Sequence, residues 1–250
     1  MNITNKTALI TGGGSGIGLE IAKTLIEKGN KVIITGRNEA KLQKAVAGLK
    51  NTSAFAGDIN NADDVDKLVE YLNTNHSTLD VVINNAGQAS AYHLSVEADA
   101  FEKAGAEIQT NYLSVIRLTE KLLHLLSKQP EAAIVNVTSI VVFAPNAFIP
   151  TYAASKAALH SYTQTLRFTL AKTTAIKVFE LFPPLVDTEF SKEIGGSNGI
   201  PPSAVAEQFV KGFENDQYEI HVGATADIYK LFLSSPEEAF KALNQERGNG

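Results

Sequence analysis

The sequence predicts an α/β fold in which a mainly parallel sheet of about seven strands is covered on both faces by helices. Three observations carry this expectation. Short β-type runs alternate with segments of helical spacing along the whole chain, and that alternation is the mark of a parallel sheet. A glycine-rich turn joins the first strand-like run to the first helical one. With 250 residues and 44% hydrophobic content, the chain can bury a substantial core without disulfides or metal.

Thr7–Thr11 (TALIT) reads as the first strand, followed at once by Gly12-Gly13-Gly14-Ser15-Gly16-Ile17-Gly18. Ile17, Ile21 and Leu25 then fall at helical spacing, and Gly29 is suited to cap that helix. The next strand is 31–35 (KVIIT). Helical patterns follow near 38–49, 61–75, 99–128, 152–172 and 202–214. Strand-like runs lie near 52–56, 79–84, 132–138, 176–182 and 218–222, and one last helix is expected over about 225–245. No repeat, low-complexity tract or linker divides the chain, so 1–250 is expected to form one domain. The Gly/Ser/Asn/Pro-rich patch at 195–202 reads as a lid over the site, in a stretch near 188–215.

Composition narrows the function. A net charge of −5 argues against nucleic acid and anionic membrane surfaces as main partners. The lack of cysteine removes thiol catalysis and cysteine-based metal sites. The five histidines (76, 93, 124, 160, 221) are scattered without metal-ligand spacing, so no metal site is expected. No long apolar stretch opens the chain, and no run approaches the roughly 20 residues of a membrane span. A cytoplasmic protein is the expectation.

The chemistry concentrates in 136–156 (NVTSIVVFAPNAFIPTYAASK). Ser139 follows an apolar run, and Tyr152 and Lys156 stand at i,i+4, one turn apart if the segment is helical. A lysine ammonium beside a phenol favours the phenolate, and so can draw its pKa from about 10 toward neutrality. A hydroxyl from a strand end can hold a substrate oxygen against that phenol, which is general acid–base equipment for a carbonyl or an alcohol. The glycine turn supplies the complementary half. Glycines there let the backbone approach a pyrophosphate, and the helix beyond presents unpaired N–H groups to it. The T-G-x-x-x-G-x-G spacing of 11–18 excludes a P-loop, because Ile17-Gly18-Leu19 stands where Gly-Lys-Ser/Thr is needed.

Together with these motifs come Asp58-Ile59, INNAG at 83–87, Asn111, Ser139 thirteen residues before Tyr152, YAASK at 152–156 and PPLVDT at 183–188. In this order the chain resembles the short-chain dehydrogenase/reductase family over essentially its whole length. The resemblance implies a doubly wound Rossmann-type parallel sheet. It also implies an oxidoreductase that reversibly reduces a ketone to a secondary alcohol by hydride transfer from NAD(P)H. Tyr152 would be the general acid in reduction and the base in oxidation, and Ser139 would orient the carbonyl oxygen. Lys156 would tune the phenol and bond the nicotinamide ribose, while Asn111 would hold a water linking Lys156 to solvent.

Cofactor contacts are implied for Gly12, Gly14, Ser15, Gly16, Ile17 and Gly18 in the glycine turn, and for Arg37 and Asn38 after the second strand. Asp58 and Ile59, then Asn85, Ala86 and Gly87, would border the adenosine. Pro183, Val186 and Thr188 would meet the nicotinamide side, joined by Tyr152 and Lys156. Asp58 could instead cap the next helix. The second strand ends in Thr35-Gly36-Arg37-Asn38, with an arginine and no acid. That favours NADP(H) and leaves NAD(H) open, since Gly13, Gly14 and Ser15 offer no second cation. Relatives usually carry Pro-Gly where this chain has Pro183-Pro184, so the loop beyond is expected to be stiffer.

Val141, Phe143, Phe148, Leu185 and Phe190 are expected to wall an apolar substrate pocket suited to a small-molecule ketone or alcohol. In this family helices such as those near 101–126 and 152–170 pair across a two-fold axis, so a homodimer or homotetramer is implied. Two rival readings are a ketoacyl-carrier-protein reductase and a non-catalytic dinucleotide sensor. The first lacks a Lys/Arg cluster near 190–215 to meet an acidic carrier, and the second would typically lose Tyr152 or Lys156.

Overall fold

The computed structural model describes residues 1–245. Its elements run in the order β1 (Thr7–Thr11), α1 (Gly16–Glu27), β2 (Lys31–Gly36), α2 (Glu39–Val46), β3 (Thr52–Ala56), α3 (Ala62–Asn75), β4 (Val81–Asn84), α4 (Ala100–Ile108) and α5 (Ser114–Leu126). Then come β5 (Ala132–Val137), α6 (Pro150–Thr173), β6 (Ile176–Phe182), α7 (Pro202–Glu214), β7 (Glu219–His221), α8 (Thr225–Ser234) and α9 (Pro236–Asn244). The seven strands form one sheet in the order β3-β2-β1-β4-β5-β6-β7, with every pairing parallel. The strand order reverses between β1 and β4, which opens a crevice beyond their carboxyl ends.

Period-two alternation along the strands feeds two cores. Ile10, Ile34, Ile83, Val135 and Phe179 pack with Ile21 and Leu25 of α1 and Val205, Phe209 and Phe213 of α7 on one face. Leu9, Ile33, Val82, Ile134 and Val178 meet Leu68, Leu72, Leu118, Leu122 and Leu166 on the other. Each fully buried side chain of this size contributes about 1.5–3 kcal/mol by leaving water. Capping residues start the helices. Asn38 accepts from Lys41 N and Asn61 from Asp64 N, while Pro150 and Pro202 begin α6 and α7.

Three sequence expectations are refined. The single helix expected over 225–245 is two, because Pro236 has no N–H to continue α8 and Ser235 caps a new helix from Glu238 N. The pattern over 99–128 contains a π-helical turn at Gln109–Leu113 between α4 and α5. The lid does not extend to 215, since 202–214 is α7, with Val205, Phe209 and Phe213 in the core. What remains of it is 188–200, two short 3₁₀ turns closed at the base by pairing of Val186 with Ile200. No helix among the described residues is long and apolar enough to cross a membrane.

Candidate active site

One cleft of about 1400 Å³ lies over the carboxyl ends of the strands. Its nucleotide end is built by contacts between neighbouring loops. Thr11 Oγ1 accepts from the backbone N–H groups of Asn85 and Ala86, both at 3.0 Å. Asn85 Nδ2 donates back to Thr11 O at 3.0 Å and Gly12 O at 3.2 Å. Gly12 has φ +65°, and a Cβ there would stand 2.9 Å from Ala86 Cα, so only glycine lets the two loops meet. Beyond it Ser15 occupies the N-cap of α1 without a side-chain cap bond, and no acid sits in the first turn. The first N–H groups of a twelve-residue helix are thus left facing the cleft, a cradle that fits a pyrophosphate.

Of the sequence-predicted cofactor residues, Gly12, Gly14, Ser15, Gly16, Ile17, Arg37, Asn38, Asp58 and Ile59 line this cleft. So do Asn85, Ala86, Gly87, Tyr152, Lys156, Pro183, Val186 and Thr188. Gly18 does not. It is a packing glycine, whose Cβ would fall 2.5 Å from Asn85 Nδ2 and 2.7 Å from Gly12 O. Asp58 does not cap α3, because Asn61 does; Asp58 Oδ1 accepts from Asn60 N at 2.9 Å.

Ser139 leaves β5 in extended conformation and caps the turn Ile140–Val142, its Oγ accepting from Val141 N at 3.4 Å. Tyr152 and Lys156 follow on the first two turns of α6, both buried. The Ser139 hydroxyl lies on the Tyr152 side of the cleft, where it acts to lower the phenol's pKa. Lys156 Nζ donates to Val137 O at 2.8 Å and lies 5.7 Å from the Tyr152 ring centre. Burial pushes the phenol pKa up, as does the charge of Glu107, against a smaller lowering by Ser139. Burial also brings the Lys156 amine down to about 8, against the opposing charge of Glu180. The expectation of a phenol drawn toward neutrality is therefore corrected. Desolvation dominates in this state, and it keeps the phenol protonated.

Asn111 sits in the π-turn, fully buried and outside the cleft lining. Its Oδ1 accepts from Gln88 N and its Nδ2 donates to Gln88 O, each at 2.8 Å. A further bond joins Nδ2 to Ser155 Oγ at 2.8 Å. A side chain at Gly87 would touch both Asn111 Oδ1 (3.3 Å) and Lys156 Nζ (3.7 Å), so Gly87 keeps the space between them free. A π-turn re-aims one residue of a helix, and here it brings Asn111 onto the loop that leaves β4.

At the other end, Val141, Phe148, Leu185 and Phe190 line the cleft. Phe190, on the lid, faces the Tyr152 ring at 6.0 Å between centres. Phe143 does not line it. Its ring is buried among Phe182, His221 and Tyr229, where it fills the core beside β7. Sequence reasoning missed the contribution of the C-terminal helices. Ile228 and Leu243 pack against Ile140, Val141, Ile149 and Tyr152. The end of α9 is pinned to the 145–147 loop by Asn146 Nδ2 to Leu243 O and Asn244 Nδ2 to Pro145 O, both 2.8 Å. Lys41 was missed too. It lines the cleft four residues after Arg37 and pairs with Glu189 of the lid at 2.6 Å. No local signal marks the wall residues, but the i,i+4 spacing of Arg37 and Lys41 could have been read.

A seven-stranded doubly wound sheet with a serine, tyrosine and lysine beside a glycine-rich anion cradle defines a Rossmann-type oxidoreductase class. The short chain dehydrogenase family model matches residues 6–198, and the chain belongs to that family. It is 38% identical over 251 residues to the uncharacterized oxidoreductase DltE of Bacillus subtilis (strain 168), covering 98% of this chain and 99% of that one. Its structure resembles a short chain dehydrogenase from Burkholderia cenocepacia J2315 in complex with NADP (TM-score 0.85, 26% identity, 97% and 98% of the two chains). It also resembles a 3-ketoacyl-(acyl-carrier-protein) reductase from Brucella melitensis complexed with NADH (TM-score 0.77, 27% identity, 87% and 94%).

Proposed function

We propose that this protein reversibly reduces a ketone to a secondary alcohol with NAD(P)H, using Tyr152 as general acid in reduction and as base in oxidation. The observation that carries the reading is a buried phenol that shares one cleft with Ser139, with Lys156 one turn away, where the anion cradle meets apolar walls. When bound, the dinucleotide supplies the hydride. The protein's part is position and proton. Ser139 holds the substrate oxygen, and burial keeps Tyr152 protonated until that oxygen becomes basic. Tyr152 then gives its proton to the nascent alkoxide, and the phenolate left behind faces the Lys156 ammonium. With its pKa brought down to about 8, Lys156 is charged at neutral pH yet can pass a proton on. Phe190 and the C-terminal wall exclude water from the exchange.

Arg37 is exposed at the end of β2 and lines the cleft, with no ion-pair partner among the described residues. That free cation, with Lys41 a turn on, supports NADP(H) as the preferred cofactor. The apolar walls support a hydrophobic substrate. The exposed Phe101, Leu113 and Phe168 on α4, the π-turn and α6 support pairing with a second copy, which light scattering would test. The function is tested by following loss of reduced-dinucleotide absorbance with aryl and alkyl ketones, using NADPH and NADH in turn. Tight dinucleotide binding without turnover of any ketone would instead identify a sensor.

A further inference from the structure

Among the described residues only three Asp, Glu, Lys or Arg side chains are buried: Glu107, Lys156 and Glu180. A buried ammonium needs an anion in the same layer, because neither water nor salt can screen it there. Glu107, on α4, accepts from Ser90 N with Oε1 at 2.6 Å, and its charge acts on the Tyr152 phenol. Glu180 lies on β6. Its neighbours Phe179 and Leu181 belong to the α1/α7 core, whereas Glu180 itself bonds a side chain of α6. Val137, whose carbonyl receives the Lys156 amine, pairs in register with Leu181, the residue next to Glu180. His160 continues the line of Tyr152 and Lys156 along α6, one turn further on. Its Nδ1 lies 2.9 and 3.1 Å from the two Glu180 oxygens.

We propose that Glu180 is a positioning residue for the catalytic lysine: the buried anion beneath α6 that balances the Lys156 ammonium, held in orientation by His160. This rests on the role given to Lys156 above. The other groups around the pair are Tyr152 and Arg167 on α6, Thr138 after β5, Glu219 and His221 on β7 with Tyr218 just before it, and Glu107 on α4 facing the phenol. Burial pushes the Glu180 carboxyl up, partly offset by its bond to His160. Burial would lower the His160 imidazole, but the bond to Glu180 and the charges of Glu180 and Glu219 outweigh it and hold it above its ordinary value. Glu180 is also the charge that opposes the lowering of Lys156.

The test reads the protonation of Lys156 directly and needs no turnover. The full-length protein is reductively methylated over a range of pH, and labelling of Lys156 is followed by peptide mass spectrometry. Glu180→Gln should move the labelling midpoint down by about one pH unit, roughly tenfold more labelling near neutrality. Glu180→Asp should keep the wild-type midpoint. An unmoved midpoint in Glu180→Gln, or an equal shift in Glu180→Asp, would overturn the proposal and leave Glu180 a tie between α6 and β6. If Glu180→Gln does not fold, the double variant Glu180→Gln/Lys156→Met decides. Recovery of folding means that the two charges balance each other, and equal failure means that they do not. Lack of ketone turnover in the wild type would remove the proposed reaction while leaving the midpoint shift readable.

Discussion

The two ends of the cleft are built by different means. The nucleotide end gathers Gly12, Gly14, Ser15, Gly16, Ile17, Arg37, Asp58 and 85–87, all at the carboxyl ends of neighbouring strands β1 to β4. Each piece follows its strand directly, and two hydrogen-bonded loops lock the floor. The substrate end joins 140–149, the lid after β6, and side chains of α8 and α9 a hundred residues later. The first end depends on backbone geometry that glycine and strand order dictate. The second depends on which side chains meet across long loops. Changes at the nucleotide end should therefore act on cofactor affinity or folding, and changes at the substrate end on discrimination between ketones.

The largest expected effect falls where the two ends meet. Tyr152→Phe should cut kcat by ~10²–10⁴-fold, the usual worth of a positioned general acid, while cofactor affinity measured by fluorescence stays near wild type. Comparable loss of both would show that the phenol belongs to the nucleotide end. Next, Arg37→Ala should weaken NADPH by ~10-fold or more relative to NADH, since a charge-assisted bond is worth about 1.5–3 kcal/mol. Equal weakening would remove the phosphate assignment. Gly12→Ala should lower stability by ~1–2 kcal/mol from left-handed strain alone, with more from the 2.9 Å approach to Ala86. Thermal melting checks it, and an unchanged Tm would mean that the loops can part.

Titration separates the ends as well. Lys156 keeps its proton up to about 10.5 when unfolded but only up to about 8 when folded. Between those values the unfolded chain binds more protons, so stability should rise with pH, by at most ~1.4 kcal/mol per unit. The raised Tyr152 pKa works the other way once the unfolded phenol begins to ionise near pH 10. The window for Lys156 is therefore about pH 8 to 10, and Lys156→Met should flatten it in melting curves. The smallest effect is expected at the far wall. Leu243→Ala should raise KM for bulky ketones several-fold without touching cofactor affinity. A change in cofactor affinity instead would tie α9 to the nucleotide end.

Much of this molecule was legible in its sequence. Strand–helix alternation gave the seven-stranded sheet, because buried parallel strands and amphipathic helices carry distinct periods. The glycine turn and the Tyr152–Lys156 spacing were readable for a similar reason: each is a contiguous motif whose geometry is set within one turn. Phe143 was misplaced because an apolar residue after β5 can face the cleft or the core with equal ease. Only packing against Phe182 and Tyr229 decides it. The π-turn at Asn111 has no compositional signature either.

What the chain determined by itself is therefore the order of elements, the glycine turn and the Tyr152–Lys156 spacing, all local in sequence. Tertiary structure alone decided that the end of α9 walls the cleft, that Lys41 meets Glu189, and that Glu180 bonds His160 of α6. Burial then reversed the direction expected for the Tyr152 pKa. Desolvation depends on everything packed around a group, and no window of sequence contains that information.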